Sequence, residues 1–131
     1  MITASLHNYR IAPRKVRLIA DMIRGKNVTQ AKTILSLASK QARHPIADLI
    51  DSAVANASHN FKIGPEALFV KEIRVDQGFV MKRSRPVSRG SAHPIAKRTS
   101  HISIVLAVAE AVSKKKGAGR TKKAQIKADK K

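Results

Sequence analysis

The chain contains no cysteine and no tryptophan, and only one tyrosine and three phenylalanines among its 131 residues. Without cysteine there is no disulfide framework, no thiol nucleophile and no zinc-ribbon site. Four scattered aromatics, Tyr9, Phe61, Phe69 and Phe79, do not make the stacking platform on which single-strand readers hold bases, and they leave any core to Ile, Leu, Val and Ala. The longest apolar run, residues 102–109, is interrupted by Ser103 and followed by Glu110, too short to span a bilayer. Residues 1–10 carry neither the basic nor the apolar region of a signal peptide, so we expect a soluble, intracellular chain. Acidic residues are the most telling scarcity: eight stand against 27 Lys and Arg, a formal net charge of +19. Self-repulsion on that scale calls for a partner that neutralises it, and nucleic acid is the leading one.

Between Asp76 and Glu110 there is no acidic residue at all. Within that stretch, residues 79–101 hold six cations, Lys82, Arg83, Arg85, Arg89, Lys97 and Arg98, and too few large apolar side chains for a core. Such a segment has to be ordered by something else, and its charge selects a dense polyanion. Apolar and polar residues alternate on both sides of it, with Ile73 and Val75 before and Ile102, Ile104, Leu106 and Val108 after. Two strands around a basic stretch with Gly90 near its middle predict a hairpin over 79–101. With about eleven residues each way at ~3.3 Å per residue, it reaches roughly 35 Å from the body. Pro86 and Pro94 remove ladder donors, so the far end is expected to be a loop.

Residues 2–9 alternate, with Ile2, Ala4 and Leu6 on one face of a short strand. Pro13 suits the first turn of a helix in which Val16, Ile19, Ala20 and Ile23 face inward and Arg14, Arg17, Asp21 and Arg24 face out; Gly25 ends it. Thr29 is expected to cap a second helix with Ala31, Ile34, Leu35 and Ala38 inward. Ser39 is expected to open the longest helix, which runs to about Asn60. Its buried face is Ala42, Ile46, Leu49, Ile50, Ala53 and Ala57, and Pro45 sits deep in its first turns. In the next strand Phe69, Ile73 and Val75 are expected on one face and Glu72, Arg74 and Asp76 on the other. Residues 113–131 hold nine Lys or Arg against Asp129 alone, the composition of a disordered basic tail. The length fits one domain, over 1–112 and including the hairpin, followed by that tail.

Catalysis finds no support. Asp48 and Asp51 fall on the solvent side of the long helix, and His59 and His101 have no carboxylate pattern around them. Gly78 and Gly90 make no phosphate-cradling loop. We expect no enzyme activity, no cofactor and no metal. Scattered aromatics with dense Lys and Arg point instead to structured RNA recognised by shape, phosphates and 2′-hydroxyls. An architectural DNA-binding protein with a minor-groove arm is the competing class. Pro94 and Ile95 could serve it as a wedge, but no dimer seam is evident. A membrane-active cationic protein needs bulky apolar residues opposite a basic helix face, which the tail lacks.

Five ordered motifs sharpen this. Residues 12–18 (Ala-Pro-Arg-Lys-Val-Arg-Leu), 23–26 (Ile-Arg-Gly-Lys), 52–57 (Ser-Ala-Val-Ala-Asn-Ala) with His59-Asn60, Lys82-Arg83 with Arg85-Pro86, and 97–102 (Lys-Arg-Thr-Ser-His-Ile) resemble the bacterial-type large-subunit ribosomal protein twenty-two family over about residues 2–106. The resemblance implies an α+β body, three helices packed on a three-stranded antiparallel sheet, with a long protruding β-hairpin. It implies a structural constituent of the large subunit, located in the cytoplasm on the ribosome. The body would sit on large-subunit rRNA near the exit of the peptide tunnel. The hairpin would tie rRNA domains together and its tip would line the tunnel beside ribosomal protein four.

Carried over by residue, Arg14, Lys15, Arg17, Arg24 and Lys26 would contact rRNA from the body. Lys82, Arg83, Arg85, Arg89, Lys97, Arg98 and His101 would do so along the hairpin, with Met81 beside them. Arg89, Gly90, Ser91, Ala92 and His93 would form the tunnel tip. Implied partners are large-subunit rRNA, neighbouring large-subunit proteins and, transiently, the nascent peptide; no membrane and no homo-oligomer is expected. The chain departs from the family pattern in two places. Ala12 stands where a capping Ser is usual, and Val87, Ser91, His93 and Pro94 make the tip less cationic.

Overall fold

The computed structural model describes residues 1–108; the expected basic tail, and the end of the expected 1–112 domain, lie outside the described residues. In chain order the elements are β1 (Ile2–Tyr9), α1 (Pro13–Ile23), α2 (Val28–Leu37), α3 (Arg43–Phe61), β2 (Leu68–Pro86) and β3 (Ala92–Val108). The three strands form one antiparallel sheet in the order β1-β3-β2, so the last strand in sequence is the middle one in space. This is the α+β architecture expected.

The helices cover one face of the sheet. Val16, Ile19, Ala20 and Ile23 of α1, Ala31 and Leu35 of α2, and Ile46, Leu49, Ile50, Ala53 and Ala57 of α3 are buried together with Ile2, Leu68, Val70, Ile73, Val75, Ile102, Ile104 and Leu106. The core is aliphatic throughout, as the shortage of aromatics requires. The other face carries Thr3, Ser5, Arg74 and Asp76, all exposed.

Local chemistry explains most boundaries. Pro13 occupies the start of α1, where its missing N–H is no loss, and Gly25, at φ +74°, follows the Arg24 C-cap. Ala12 has N-cap geometry, φ −61° and ψ 135°, but no side-chain oxygen to bond the first amides. Ala12→Ser is therefore expected to stabilise the protein by about 1 kcal/mol, a rise in urea midpoint of roughly 0.3–1 M in an equilibrium denaturation.

Several boundaries differ from expectation. Asn27, not Thr29, precedes α2, and it makes no side-chain cap bond. α3 opens at Arg43 rather than Ser39; the later start keeps Pro45 in the first turn, where no helical bond needs its nitrogen. Ile34 is only partly buried. Phe69 is half-buried rather than part of the core, because the register of β2 against β3 shifts between Val70 and Glu72 and one extra residue reverses which side chains face inward.

The far end of the hairpin also differs. The ladder continues through Ser84↔Pro94 to Pro86↔Ala92, leaving only residues 87–91 as the turn. Val87 N–H donates to the Ser91 carbonyl at 2.9 Å, so that pair is a hydrogen-bonded one and the alternate pairs holding the prolines are not. The proline nitrogens thus face the free edges, where no donor is needed. Arg89 and Gly90 turn the chain at φ 58° and 71°.

Candidate nucleic-acid interface

From Lys82 to Arg98 every residue is exposed, whereas Thr99 and Ser100 are wholly buried. The ribbon therefore leaves the body at a sharp boundary and, among the described residues, is supported by nothing but its own ladder. Directly paired residues share a face, and neighbours along a strand alternate. Val80↔Arg98, Lys82↔Ala96, Ser84↔Pro94 and Pro86↔Ala92 consequently lie on one face, with Met81↔Lys97, Arg83↔Ile95 and Arg85↔His93 on the other. Lys82 and Arg98 charge the first face; Arg83, Arg85 and Lys97 charge the second. A surface-lying ribbon would concentrate its cations on one side. This one presents them on both, with no carboxylate between Asp76 and Glu110 to offset them. The turn adds Arg89, and Ser91 folds back on it, its hydroxyl donating to the Ser88 carbonyl at 2.9 Å.

The body cations divide into two groups. Arg14 and Lys15 stand exposed on α1, and Lys26 is exposed in the loop after it. Arg17 and Arg24 are instead tied to the outer edge of β2. Arg17 donates through Nε and Nη2 to the Val75 carbonyl at 3.1 and 2.9 Å. Arg24 donates to the Ile73 carbonyl at 3.3 Å and pairs with Asp21 at 2.8 Å. Further along, Gly25 N–H and the Lys26 carbonyl bond Val70, each at 2.9 Å. Side chains and a loop thus cover an edge that would otherwise offer unpaired groups to another strand.

Arg17→Ala is accordingly expected to cost about 1–2 kcal/mol in urea denaturation. Arg14→Ala and Lys15→Ala, which break no described bond, should stay within roughly 0.5 kcal/mol.

His101 is half-buried at the root of the ribbon and accepts a hydrogen bond from the Asn8 backbone N–H at Nδ1, 3.2 Å away. Only part of its ring is left for an external partner. On the open sheet face Glu72 bonds Arg74 and raises its pKa above the ordinary guanidinium value. Burial likewise pushes the Tyr9 hydroxyl up. Lys32 of α2 pairs with Asp51 of α3. Among the described residues no group of three or more His, Asp, Glu or Cys could hold a metal ion, and no helix is long and apolar enough to cross a membrane. Thr99 and Gly78, to which the sequence alone assigned no role of their own, lie at the root beside His101. A glycine inside a strand-like run was the available signal, since it marks a bulge or a close approach.

The profile of the family described as Ribosomal protein L22p/L17e matches residues 4–107. The chain belongs to this family. It is also 54% identical over 101 residues to the large ribosomal subunit protein uL22 of Acholeplasma laidlawii (strain PG-8A), covering 77% of this chain and 91% of that one. The corresponding protein of Desulfitobacterium hafniense (strain Y51) is 50% identical over 108 residues, 82% of this chain and 90% of its own. That of Herpetosiphon aurantiacus is 50% identical over 103 residues, 79% and 91%. As an L22p/L17e member the chain is a non-enzymatic, structural constituent of the large ribosomal subunit. The matched span of the family contains the whole ribbon, both its strands and its turn.

Proposed function

We propose that the body, a single domain over residues 1–112, docks on large-subunit rRNA while the ribbon over 79–101 threads between rRNA segments and ties them together. The observation that carries this reading is the two-faced charge of the ribbon: a strand pair with exposed cations on both sides is suited to being surrounded by phosphates. Lys82 and Arg98 would meet one wall, and Arg83, Arg85 and Lys97 the other. Arg89, Gly90, Ser91, Ala92 and His93 would form part of the peptide-tunnel wall and meet the nascent chain transiently. On the body, Arg14, Lys15 and Lys26 would carry the main phosphate contacts. Arg17 and Arg24 would contribute only the donors that the edge of β2 leaves free, and His101 its unengaged ring edge. Neighbouring large-subunit proteins complete the surroundings, in the cytoplasm, on the ribosome; residues 113–131 would add nonspecific phosphate attraction.

The test is sedimentation of a cell lysate through a high-salt sucrose gradient. The intact chain is expected to stay with the large subunit at salt that strips loosely held basic proteins. Replacing both Lys97 and Arg98 by Ala should release it, and removing residues 114–131 should not. Equal or greater release on removing the tail would overturn the ranking. Loss of the intact chain to the top of the gradient would reduce the attachment to surface electrostatics and reopen the DNA-binding alternative.

A further inference from the structure

Two irregularities of the sheet meet at one place. In β1, His7 and Asn8 fall between the pairs Leu6↔Ile102 and Tyr9↔Ser100, so two residues oppose His101 alone. In β2, Gly78 and Phe79 fall between Gln77↔Ser100 and Val80↔Arg98, so two residues oppose Thr99 alone. These are β-bulges on the two strands that flank β3, two positions apart on it with Ser100 between. A bulge leaves backbone groups without a ladder partner, bends the strand and increases its twist.

Each bulge has a backbone group bonded by a side chain of β3. Thr99 Oγ1 donates to the Phe79 carbonyl at 2.8 Å. On the other side Asn8 N–H donates to His101 Nδ1 at 3.2 Å, with His7 Nδ1 3.4 Å from the same atom. Thr99 and Ser100 are wholly buried, so water does not readily replace the first bond. The fit is tight: a Cβ on Gly78 would lie 2.5 Å from Thr99 Oγ1 and 3.0 Å from His101 Nε2. Asn8 takes a left-handed conformation, φ 58°. All of this stands where buried Thr99 gives way to exposed Arg98.

We propose that Thr99 and His101 are positioning residues that latch the two bulges into an elbow, and that this elbow sets the direction in which the ribbon leaves the body. The lever is long. Over an arm of roughly 30 Å, a 10° change at the root moves the tip by about 5 Å, more than the width of one strand. The purpose of the elbow rests on the rRNA-threading reading, but the elbow itself belongs to the free protein and is testable there.

The absence of native cysteine leaves two engineered ones as the only labelling sites. Ser84→Cys on the ribbon and Asp48→Cys on α3, both exposed, would carry spin labels for pulsed dipolar distance measurement without RNA. The parent is expected to give a narrower distance distribution than the variants, its remaining width set by flexing of the ribbon itself. Thr99→Val, which keeps the shape and removes the donor, and Gly78→Ala should shift or broaden it by several ångströms. Thr99→Ser, which keeps the hydroxyl, should restore the parental distance. His101→Phe should also move it and speed hydrogen exchange of the Asn8 amide; if Thr99→Val fails to fold, this variant decides.

A purely structural contribution would lower the urea midpoint without moving the distance in the folded population. Unmoved distances in the folded variants, a parental distribution as broad as theirs, or a shift in Thr99→Ser equal to that in Thr99→Val would each overturn the elbow. Since no RNA is present, such a result leaves the threading reading standing. Release of the parent from the large subunit would leave the elbow standing.

Discussion

Replacing Lys82, Arg83, Arg85, Lys97 and Arg98 together by Gln is expected to flatten the salt dependence of rRNA binding while leaving the protein folded. Each phosphate contact contributes roughly 0.7–0.9 to the slope of log affinity against log salt, so five contacts account for about 3.5–4.5 of it. All five side chains are exposed, and none belongs to the core. The thermal midpoint should therefore move little, and removing crowded like charges would if anything raise it. Filter binding to large-subunit rRNA across a range of KCl concentrations checks the expectation. A variant with the parental slope would mean that the ribbon cations meet no phosphates and that the body alone carries the attachment. Because the cations are divided between two faces, triple replacement of Arg83, Arg85 and Lys97 should produce about three-fifths of that loss of slope, and replacement of Lys82 and Arg98 the rest. A contribution confined to one set would show that RNA covers one face only.

The second large effect lies in the core. Ile104 sits wholly buried on β3, the middle strand, paired with Ala4 on one side and Ile73 on the other. Ile104→Ala is expected to cost about 2–5 kcal/mol through lost transfer energy and the cavity left behind. A domain of this size has about 5–15 kcal/mol in all, and each kcal/mol shifts its melting temperature by roughly 4–8 °C. A fall of at least about 8 °C in a calorimetric or circular-dichroism melt should follow. A change under 3 °C would mean that the aliphatic core can close over the missing atoms. Such plasticity would be unexpected in a layer where β3 is held by strands on both edges and helices on one face.

Local patterns were legible and long-range ones were not. The inward faces of α1 and α3 could be read because 3.6-residue spacing is a property of the segment itself: Val16, Ile19, Ala20 and Ile23, and Ala42, Ile46, Leu49, Ile50, Ala53 and Ala57, are all buried. The ribbon was legible from charge, since residues without a core of their own and without acids leave few alternatives. Phe69 was misplaced because one inserted residue in β2 reverses the alternation, and nothing nearby announces it. The prolines mislead because whether a proline nitrogen faces the partner or the edge depends on the register with the opposite strand. Arg17 looked like a free phosphate ligand because its bond partner, the Val75 carbonyl, lies 58 residues away. The same distance effect hid the root of the ribbon. Gly78 alone hints at a bulge, Asn8 and Thr99 look unremarkable one at a time, and only the pairing of β2 and β1 with β3 brings the three together.

The position of β3 has a consequence for how the molecule comes into being. β1 and β2 are both edge strands whose ladder partner is the strand made after them. While the polypeptide is being synthesised, neither can complete its pairing until residues 92–108 have emerged. Until then the helices have no finished sheet to pack on, and a long cationic segment waits among nucleic acids beside a second unpaired strand. Folding is therefore tied to the last part of the described chain, and a premature stop before residue 92 removes the centre of the sheet rather than its margin. Such a product would offer two open strand edges and an uncovered apolar layer, the features that quality control and aggregation both act on.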